Sequence, residues 1–463
     1  MLILPELTIF LFSVLFLFIS TRSKKGNILP YAKLFSALVF LISLISISKS
    51  GELFSGAYRI DLFSQVFKML ILLGFCLVIF MFENKEEIDD EFLPEYFMFI
   101  GFSALGLMML VSSVELISIV IALEVSSYSL YVILPLRKSQ TRIQIEASMK
   151  YLFFGAVSTG IMLFGMGYIY GIAHSTFLKD IIPVLPGFLN QPIGLIALVF
   201  TLTGFFFKLS LFPMHFWSPD IYEGASNTTT TFIGTIPKLA AAALLIRITM
   251  LAYPGSMQFI NILIILAALS MTFGNLVGLV QKDIKRLLAY SGIAHAGYLL
   301  MGILALSKDG NASAIYYITI YMFMNLACFY VVILLSKTGA NVTLNDLTGL
   351  SKRSPLLALL LAVSAFSLAG IPPTGGFTGK LFLLTSAFKA GHLSIVLIGA
   401  VNTVISIFFY LNLVRMSYSK EGTVVEPLRL SFKEKVLCYI FIFAILYMGI
   451  LPFGLFEVFK ASI

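Results

Sequence analysis

The stretch GIPPTGGFTGK, Gly370–Lys380, interrupts an apolar run that otherwise reads as one helix from about residue 354 to 390. Four glycines, two prolines and a terminal lysine give it the look of a phosphate-cradling loop. Spacing rules that out. The pattern G-x-x-x-x-G-K-[ST] requires glycine at 374 and serine or threonine at 381, where the chain has Thr374 and Leu381. The stretch reads instead as the break in a discontinuous membrane helix, with Pro372, Pro373, Gly375 and Gly376 as breakers.

The composition supplies the membrane. The chain has 463 residues, of which 59% are hydrophobic and only 12% charged, with a mean hydropathy of +0.98. So few charges cannot cover a soluble protein of this length. A net charge of +8 would point to nucleic acid in a soluble domain, but here basic cytoplasmic loops account for it. Cys76, Cys328 and Cys438 lie singly in apolar runs, which argues against disulfides, iron–sulfur clusters and zinc. The N-terminus lacks a basic leader and a small-residue cleavage site, so its first apolar run reads as an uncleaved span.

Windows of about twenty apolar residues fall near 2–20, 30–48, 64–82, 94–113, 114–134, 147–171, 192–211, 227–251, 257–280, 287–306, 312–336, 354–390, 392–414 and 434–456. The expected fold is an all-α polytopic membrane protein with about fourteen transmembrane helices. Span twelve is too long for one helix, and span seven runs into Pro213, so both are expected to be broken. Most lysines and arginines fall in loops after odd-numbered spans, among them Lys24, Lys25, Arg137, Lys138, Lys282 and Arg286. Loops after even-numbered spans carry only Lys49, Arg59, Lys179, Lys308 and Lys389. That asymmetry puts the odd loops in the cytoplasm and both termini outside. The acidic run Glu83–Glu91 reads as a solvated loop, with a docking site for a basic partner as the alternative.

The chemistry lies in charges within the spans. Glu115 and Glu124 sit in span five, Lys150 in span six, Lys208 in span seven, Lys238 in span eight and Lys380 in span twelve. Each charge at mid-bilayer costs roughly 2.5–3.5 kcal/mol. Four together reach on the order of 10 kcal/mol, comparable to the net stability of a domain. They are expected to face the interior, pair with one another, or touch water. One reading is buried ion pairs that fix helix packing. The other is a proton relay, because burial favours the neutral amine while a nearby carboxylate favours the ammonium. Moving Glu124 relative to Lys208 would then load or discharge a proton. Ser126, Ser127, Thr201 and Thr203 are candidate neighbours. His215 after Pro213, and His295 in LLAYSGIAHAGYLLMG, are secondary candidates with Lys150 and Glu115.

The two broken spans share a G-F-x-x-K-L pattern, at Gly204–Leu209 and Gly376–Leu381. Interrupted segments in corresponding places of two halves mark ion sites in inverted-repeat transporters. Each repeat would hold five helices, spans four to eight and nine to thirteen. The division is 1–93, a three-helix segment; 94–252 and 253–417, the two repeats; and 418–463, a loop and the last span. Gly167-xxx-Gly171 reads as a close helix contact.

FFFKLSLFPMHFWSPDIYEGASNTTTTFI, IPKLAA, KDIKRLLAYSGIAHAGYL and LAGIPPTGGFTGK resemble the antiporter-like membrane subunits of respiratory complex I, NADH-quinone oxidoreductase. The similarity runs from about residue 90 to 420 and is greatest to the N type of subunit. The M type typically has glutamate where this chain has Lys380, and the L type continues into a long lateral helix. The resemblance implies proton translocation coupled to quinone reduction in partner subunits. Glu124 would tune Lys208, Lys238 would connect, and Lys380 would stand toward the exit. It also implies no cofactor on this chain, with NADH, FMN, iron–sulfur clusters and quinone on partners. The partners expected are other membrane subunits of the complex, the lipid bilayer and protons, with no nucleic acid, in a prokaryotic inner or plasma membrane. The alternatives are a homologous subunit of a multisubunit cation/proton antiporter or membrane-bound hydrogenase, and a non-conducting scaffold.

Overall fold

A computed structural model of the chain describes residues 2–21, 27–83, 87–138, 142–189, 191–251, 257–336, 338–419 and 427–463. Helices α1 (Leu4–Ser20) and α2 (Leu29–Ser46) lead into a short antiparallel hairpin, β1 (Gly51–Leu53) and β2 (Tyr58–Ile60). Then come α3 (Leu62–Met81), α4 (Leu93–Ser112), α5 (Leu116–Ile133), α6 (Arg142–Ala173), α7 (Leu178–Leu189) and α8 (Pro192–Leu209). After them follow α9 (Trp217–Gly224), α10 (Asn227–Leu251), α11 (Met257–Gly278), α12 (Ile284–Ile303) and α13 (Lys308–Leu335). The chain closes with α14 (Leu350–Arg353), α15 (Pro355–Ala369), α16 (Gly375–Lys389), α17 (Leu393–Tyr418), α18 (Phe432–Ile450) and α19 (Pro452–Ala461).

Among the described residues ten helices are long and apolar enough to cross a membrane, or eleven if α18 and α19, bent by 81°, form one span. The expectation of about fourteen exceeds this because α1 has 17 residues and α15 only 15, short of the ~20 that a straight crossing needs, while α12 has 20 but is less apolar. Both expected breaks are present. Residues 210–216 separate α8 from α9, and 370–374 separate α15 from α16.

The chain divides into two compact units. The first holds Met1–Leu209 and Gly224–Leu263. In it α6 crosses α8 closely, because a side chain at Gly165 would meet the backbone of Ala197, 2.7 Å away. Gly167 and Gly171, the pair singled out in the sequence, face open space. Helix period decides this: Gly165 lies on the buried stripe with Gly155, Ser158 and Met162, and its neighbours point away.

Two charged features of this unit depart from the sequence reading. Glu87, in the acidic run, is buried at 2% exposure, and its carboxylate accepts from the Thr228 amide and hydroxyl at 3.3 and 3.4 Å. It satisfies open N–H groups at the start of α10, as acceptors at helix N-termini do. Residues 84–86 of that run lie outside the described residues. Lys68, within α3, forms a buried ion pair with Glu6 of α1 at 2.5 Å, and the Tyr58 hydroxyl donates to the same Glu6 oxygen at 2.6 Å.

Asp61 caps α3 by accepting from the Ser64 amide, and it receives both arms of Arg247 at 2.9 Å. Partial burial alone would raise this carboxyl. The hydrogen bonds and charge of Arg247, with the Ser64 amide, outweigh that and hold it below the usual carboxylate range. The stabilisation is therefore present above the unfolded-chain value of about 3.9 and is lost as pH falls through the depressed folded value.

The second unit holds Ser210–Glu223 and Ile264–Ala461. Arg286 in the first turn of α12 grips Asp220 and Glu223 of α9 at 2.8 and 2.6 Å. That grip fixes the short helix that follows the first break. Helix α13 is buried along nearly its whole length, so it serves as the post around which α12, α15, α16, α18 and α19 pack.

Asp61→Asn is expected to lower the melting temperature of the detergent-solubilised protein near neutral pH. The gap to the native protein should close only below about pH 4. Melting curves collected across that range check both the sign and the window.

Candidate functional site

Helix α8 ends one residue after Lys208. Ser210 takes a left-handed φ of 59° and Pro213 cannot continue the hydrogen-bond ladder. Lys208 is 2% exposed, and its Nζ finds no hydrogen-bond partner among the described residues. The nearest aromatic face is Tyr151 of α6, 6.0 Å from ring centroid to Nζ. Glu124 of α5 is the carboxylate whose charge acts on this ammonium. Its Oε1 accepts from Thr159 of α6 at 2.6 Å. Tyr151 meets Tyr131 edge-on at 4.9 Å and stacks on Phe207 at 5.9 Å. Gly155 makes this possible, since a Cβ there would collide with the Tyr131 hydroxyl.

The site so formed is a half-buried carboxylate and a buried ammonium set around an aromatic wall. Sequence reasoning found Glu124 and Lys208 but not Tyr131, Tyr151 or Thr159. Helix period puts Tyr151 on one face of α6 with Gly155 and Ser158, but nothing local marks it as facing Lys208, and Tyr131 and Thr159 lie off that stripe. Of the hydroxyls named from the sequence, Ser127, Thr201 and Thr203 donate to carbonyls of their own helices, at 2.8, 2.8 and 3.1 Å. Ser126 pairs with Ser103 at 3.0 Å. Burial in an apolar helix leaves a hydroxyl few other acceptors.

Lys238 follows Pro237 within α10 and is 1% exposed. Pro237 has no N–H, so the ladder loses one rung in the turn beside it. Glu115 and Lys150 sit elsewhere. Glu115 is the N-cap of α5, where its Oε2 accepts from the Ser118 amide at 2.7 Å. Lys150 is one-third exposed and pairs with Glu146 one helical turn away, at 2.7 Å.

In the second unit, α15 ends in a left-handed Gly370 (φ 87°). Such a cap leaves the last carbonyls of the helix without intrahelical donors. Lys380 of α16 supplies them. Its Nζ donates to Leu368 O at 2.9 Å and Ala369 O at 3.1 Å, and it lies 4.8 Å from the Tyr298 ring centroid. A cation there also meets the negative end of the α15 dipole. The Gly376 amide donates to Ser367 Oγ at 2.9 Å, and a Cβ at Gly376 would collide with the Ser367 carbonyl. Gly376 is there for this close return of backbone on backbone, while Gly375 and Gly379 make room for Ile320 and Tyr317. Each of the two breaks contains a cis X-Pro peptide, Phe212–Pro213 and Pro372–Pro373.

His295 of α12 is buried between two phenols, with Nδ1 2.5 Å from the Tyr317 hydroxyl and Nε2 3.1 Å from that of Tyr410. Tyr410 continues to Ser291 at 2.5 Å. The sequence named His295 and missed its two phenol partners and the Ser291 hydroxyl beyond Tyr410, which come from α13, α17 and α12 and share no local pattern. His215 lies in the first break, packed against Phe212, Phe216 and Phe273 with ring centroids 4.4–5.2 Å apart.

A profile of the family described as NADH:quinone oxidoreductase/Mrp antiporter, TM, matches residues 112–406. The range takes in Glu115, Glu124, Lys208, Lys238 and Lys380. A curated relative from Opitutus terrae, NADH-quinone oxidoreductase subunit N 2, is 44% identical over 97% of this chain and 95% of its own. A subunit in the structure of respiratory complex I from Thermus thermophilus with bound aureothin superposes with a TM-score of 0.85. It is 29% identical and covers 98% of this chain and 99% of its own. A subunit of the Mrp complex from Dietzia sp. shares the fold, with a TM-score of 0.87 at 18% identity over 99% of this chain and 96% of its own.

Gly376→Ala tests the second break directly. The added methyl must push Ser367 aside, and overpacking of this kind costs about 1–3 kcal/mol. A lower melting temperature in detergent is expected, while Gly167→Ala, which faces open space, should melt like the native protein.

Proposed function

The chain belongs to the NADH:quinone oxidoreductase/Mrp antiporter family and, within it, to the subunit N group of NADH-quinone oxidoreductase, and from that premise we propose a proton relay through Glu124, Lys208, Lys238 and Lys380. It is a membrane-spanning, antiporter-like subunit of a proton-pumping oxidoreductase complex. Its partners are the other membrane subunits of that complex. The observation that best supports the relay is the placement of Lys208 and Lys380. Each is a buried ammonium at a helix break, one beside a carboxylate and the other on two carbonyl oxygens.

In this reading Lys208 holds a proton when the Glu124 carboxylate is effective, since a nearby anion favours the ammonium. It releases the proton when Glu124 is withdrawn or neutralised, since burial favours the amine. Thr159 holds Glu124 in one position, so a change in that hydrogen bond is the smallest event that would alter the loading of Lys208. Lys238 takes the middle station. Lys380 receives the proton at the second break, where the carbonyls of Leu368 and Ala369 stabilise its charged form without neutralising it. His295, with its phenol partners, and His215 are secondary stations. Lysine suits each main station because an arginine would not give its proton up.

The same reading carries the finer architecture: about fourteen spans, two inverted five-helix repeats over 94–252 and 253–417, and both termini outside. It places NADH, FMN, iron–sulfur clusters and quinone on partner subunits, with no redox cofactor on this chain. A cation/proton antiporter is the less favoured assignment, since the likeness to the Dietzia Mrp subunit is one of fold.

In complexes reconstituted into vesicles, Lys208→Ala, Glu124→Ala and Lys380→Ala are each expected to lower the proton-to-electron ratio by at least about twofold while the complex still assembles. Native ratios in all three variants would overturn the relay and leave a scaffold role.

A further inference from the structure

Helix α10 carries Lys238 at its middle, and α3 runs alongside it within the first unit. Helix α10 is held by charged hydrogen bonds at both ends, one to the N-cap of α3 and the other to Glu87 in the segment that follows α3. At one end Arg247, 5% exposed, makes two bonds of 2.9 Å to Asp61, the N-cap of α3. The same guanidinium donates to Val111 O at 3.2 Å and lies 4.8 Å from the Phe63 ring centroid. At the other end Glu87, just beyond α3, accepts from Thr228 in the first turn of α10. Arg137 binds the carbonyls of Gly224 and Ala225, both at 3.1 Å, as the chain enters that turn. The α3 helix is in turn tied to α1 by the buried Lys68–Glu6 pair.

Apolar packing between two helices in a membrane is weakly specific along the axis, because one turn of leucine and valine resembles the next. A directional ion pair at one end and a carboxylate–threonine hydrogen bond at the other remove that freedom. Buried pairs add little net stability over apolar residues of similar size, and fixing register is their best-attested use. Lys238 lies about midway between the two ties, next to Pro237, where α10 lacks a rung and is easiest to bend.

We propose that α3 is a strut that sets the axial position of α10, and with it Lys238, through the Asp61–Arg247 and Glu87–Thr228 ties. Asp61, Arg247 and Glu87 are then positioning residues for proton transfer, and the N-terminal segment is part of the pumping machinery. This rests on the reading of Lys238 as a relay station. A proton-transfer distance is sensitive to displacements of about 1 Å, so a sliding helix would slow transfer without unfolding the protein.

The test uses the whole complex in proteoliposomes, scored as protons per electron for each assembled complex. The variants are Arg247→Ala, the conservative Arg247→Lys, Glu87→Gln and Lys238→Ala. The strut predicts a ratio at least about twofold lower in Arg247→Ala, a smaller loss in Glu87→Gln, and a near-native ratio in Arg247→Lys, which keeps a cation against Asp61. A native ratio in Arg247→Ala and Glu87→Gln, with pumping lost in Lys238→Ala, overturns the strut and leaves the relay standing. A native ratio in Lys238→Ala overturns the relay itself. Losses that only track the amount of assembled complex, or that are as large in Arg247→Lys as in Arg247→Ala, also overturn the strut.

Discussion

Lys380 and the two carbonyls that end α15 answer each other's need. A helix broken at membrane depth leaves C=O groups with no amide to satisfy them, and water is scarce there. An ammonium carried into the same depth is equally expensive by itself. Placing Nζ within 2.9–3.1 Å of Leu368 O and Ala369 O satisfies both. The arrangement then needs Gly370 in a left-handed turn and Gly376 against Ser367, and the sequence around it becomes a run of glycine and proline. Charge and break stand or fall together, so the feature that looks like a defect in the helix is the condition for keeping a charge inside.

The first unit meets the same constraint by another route. Lys208 also sits at the end of a helix, but its surroundings are an aromatic wall and a carboxylate held by Thr159. An ammonium on fixed carbonyls is tied to immovable backbone. One that depends on a side-chain carboxylate can be regulated by moving that side chain. The two lysines therefore stand in different surroundings, Lys208 near a movable side chain and Lys380 on fixed backbone. In such a medium an ion pair between helices contributes position more than stability, which explains why Asp61–Arg247 and Glu6–Lys68 lie beside elements whose alignment matters.

Much of the site was legible because buried charge is conspicuous against leucine and phenylalanine. Lys208, Lys238, Lys380 and Glu124 stood out one by one. The same test applied evenly would have found Lys68 and Arg247, which lie in apolar helices too. Glu115 and Lys150 passed that test and still sit apart from the buried lysines. A residue in the first turns of a span can cap the helix or reach its surface, and hydropathy windows do not separate those turns from the middle. Glu87 went unread for the opposite reason. It belongs to an acidic loop that looks solvated, and only the nearby start of α10 gives it a buried job.

Sequence is enough to establish a helical membrane protein, the two helix breaks, and the burial of Lys208, Lys238 and Lys380. Those follow from composition and from the chemistry of glycine, proline and lysine, which act within a few residues. Tertiary structure alone decided the company those charges keep: Thr159 on Glu124, Tyr151 beside Lys208, carbonyls on Lys380, phenols on His295, and Asp61 on Arg247. These partners come from other helices, from 11 and 12 residues away for Lys380 to 186 for Arg247. A hydroxyl or a tyrosine in an apolar helix carries no local mark of which neighbour it will face, because that depends on how the helices cross.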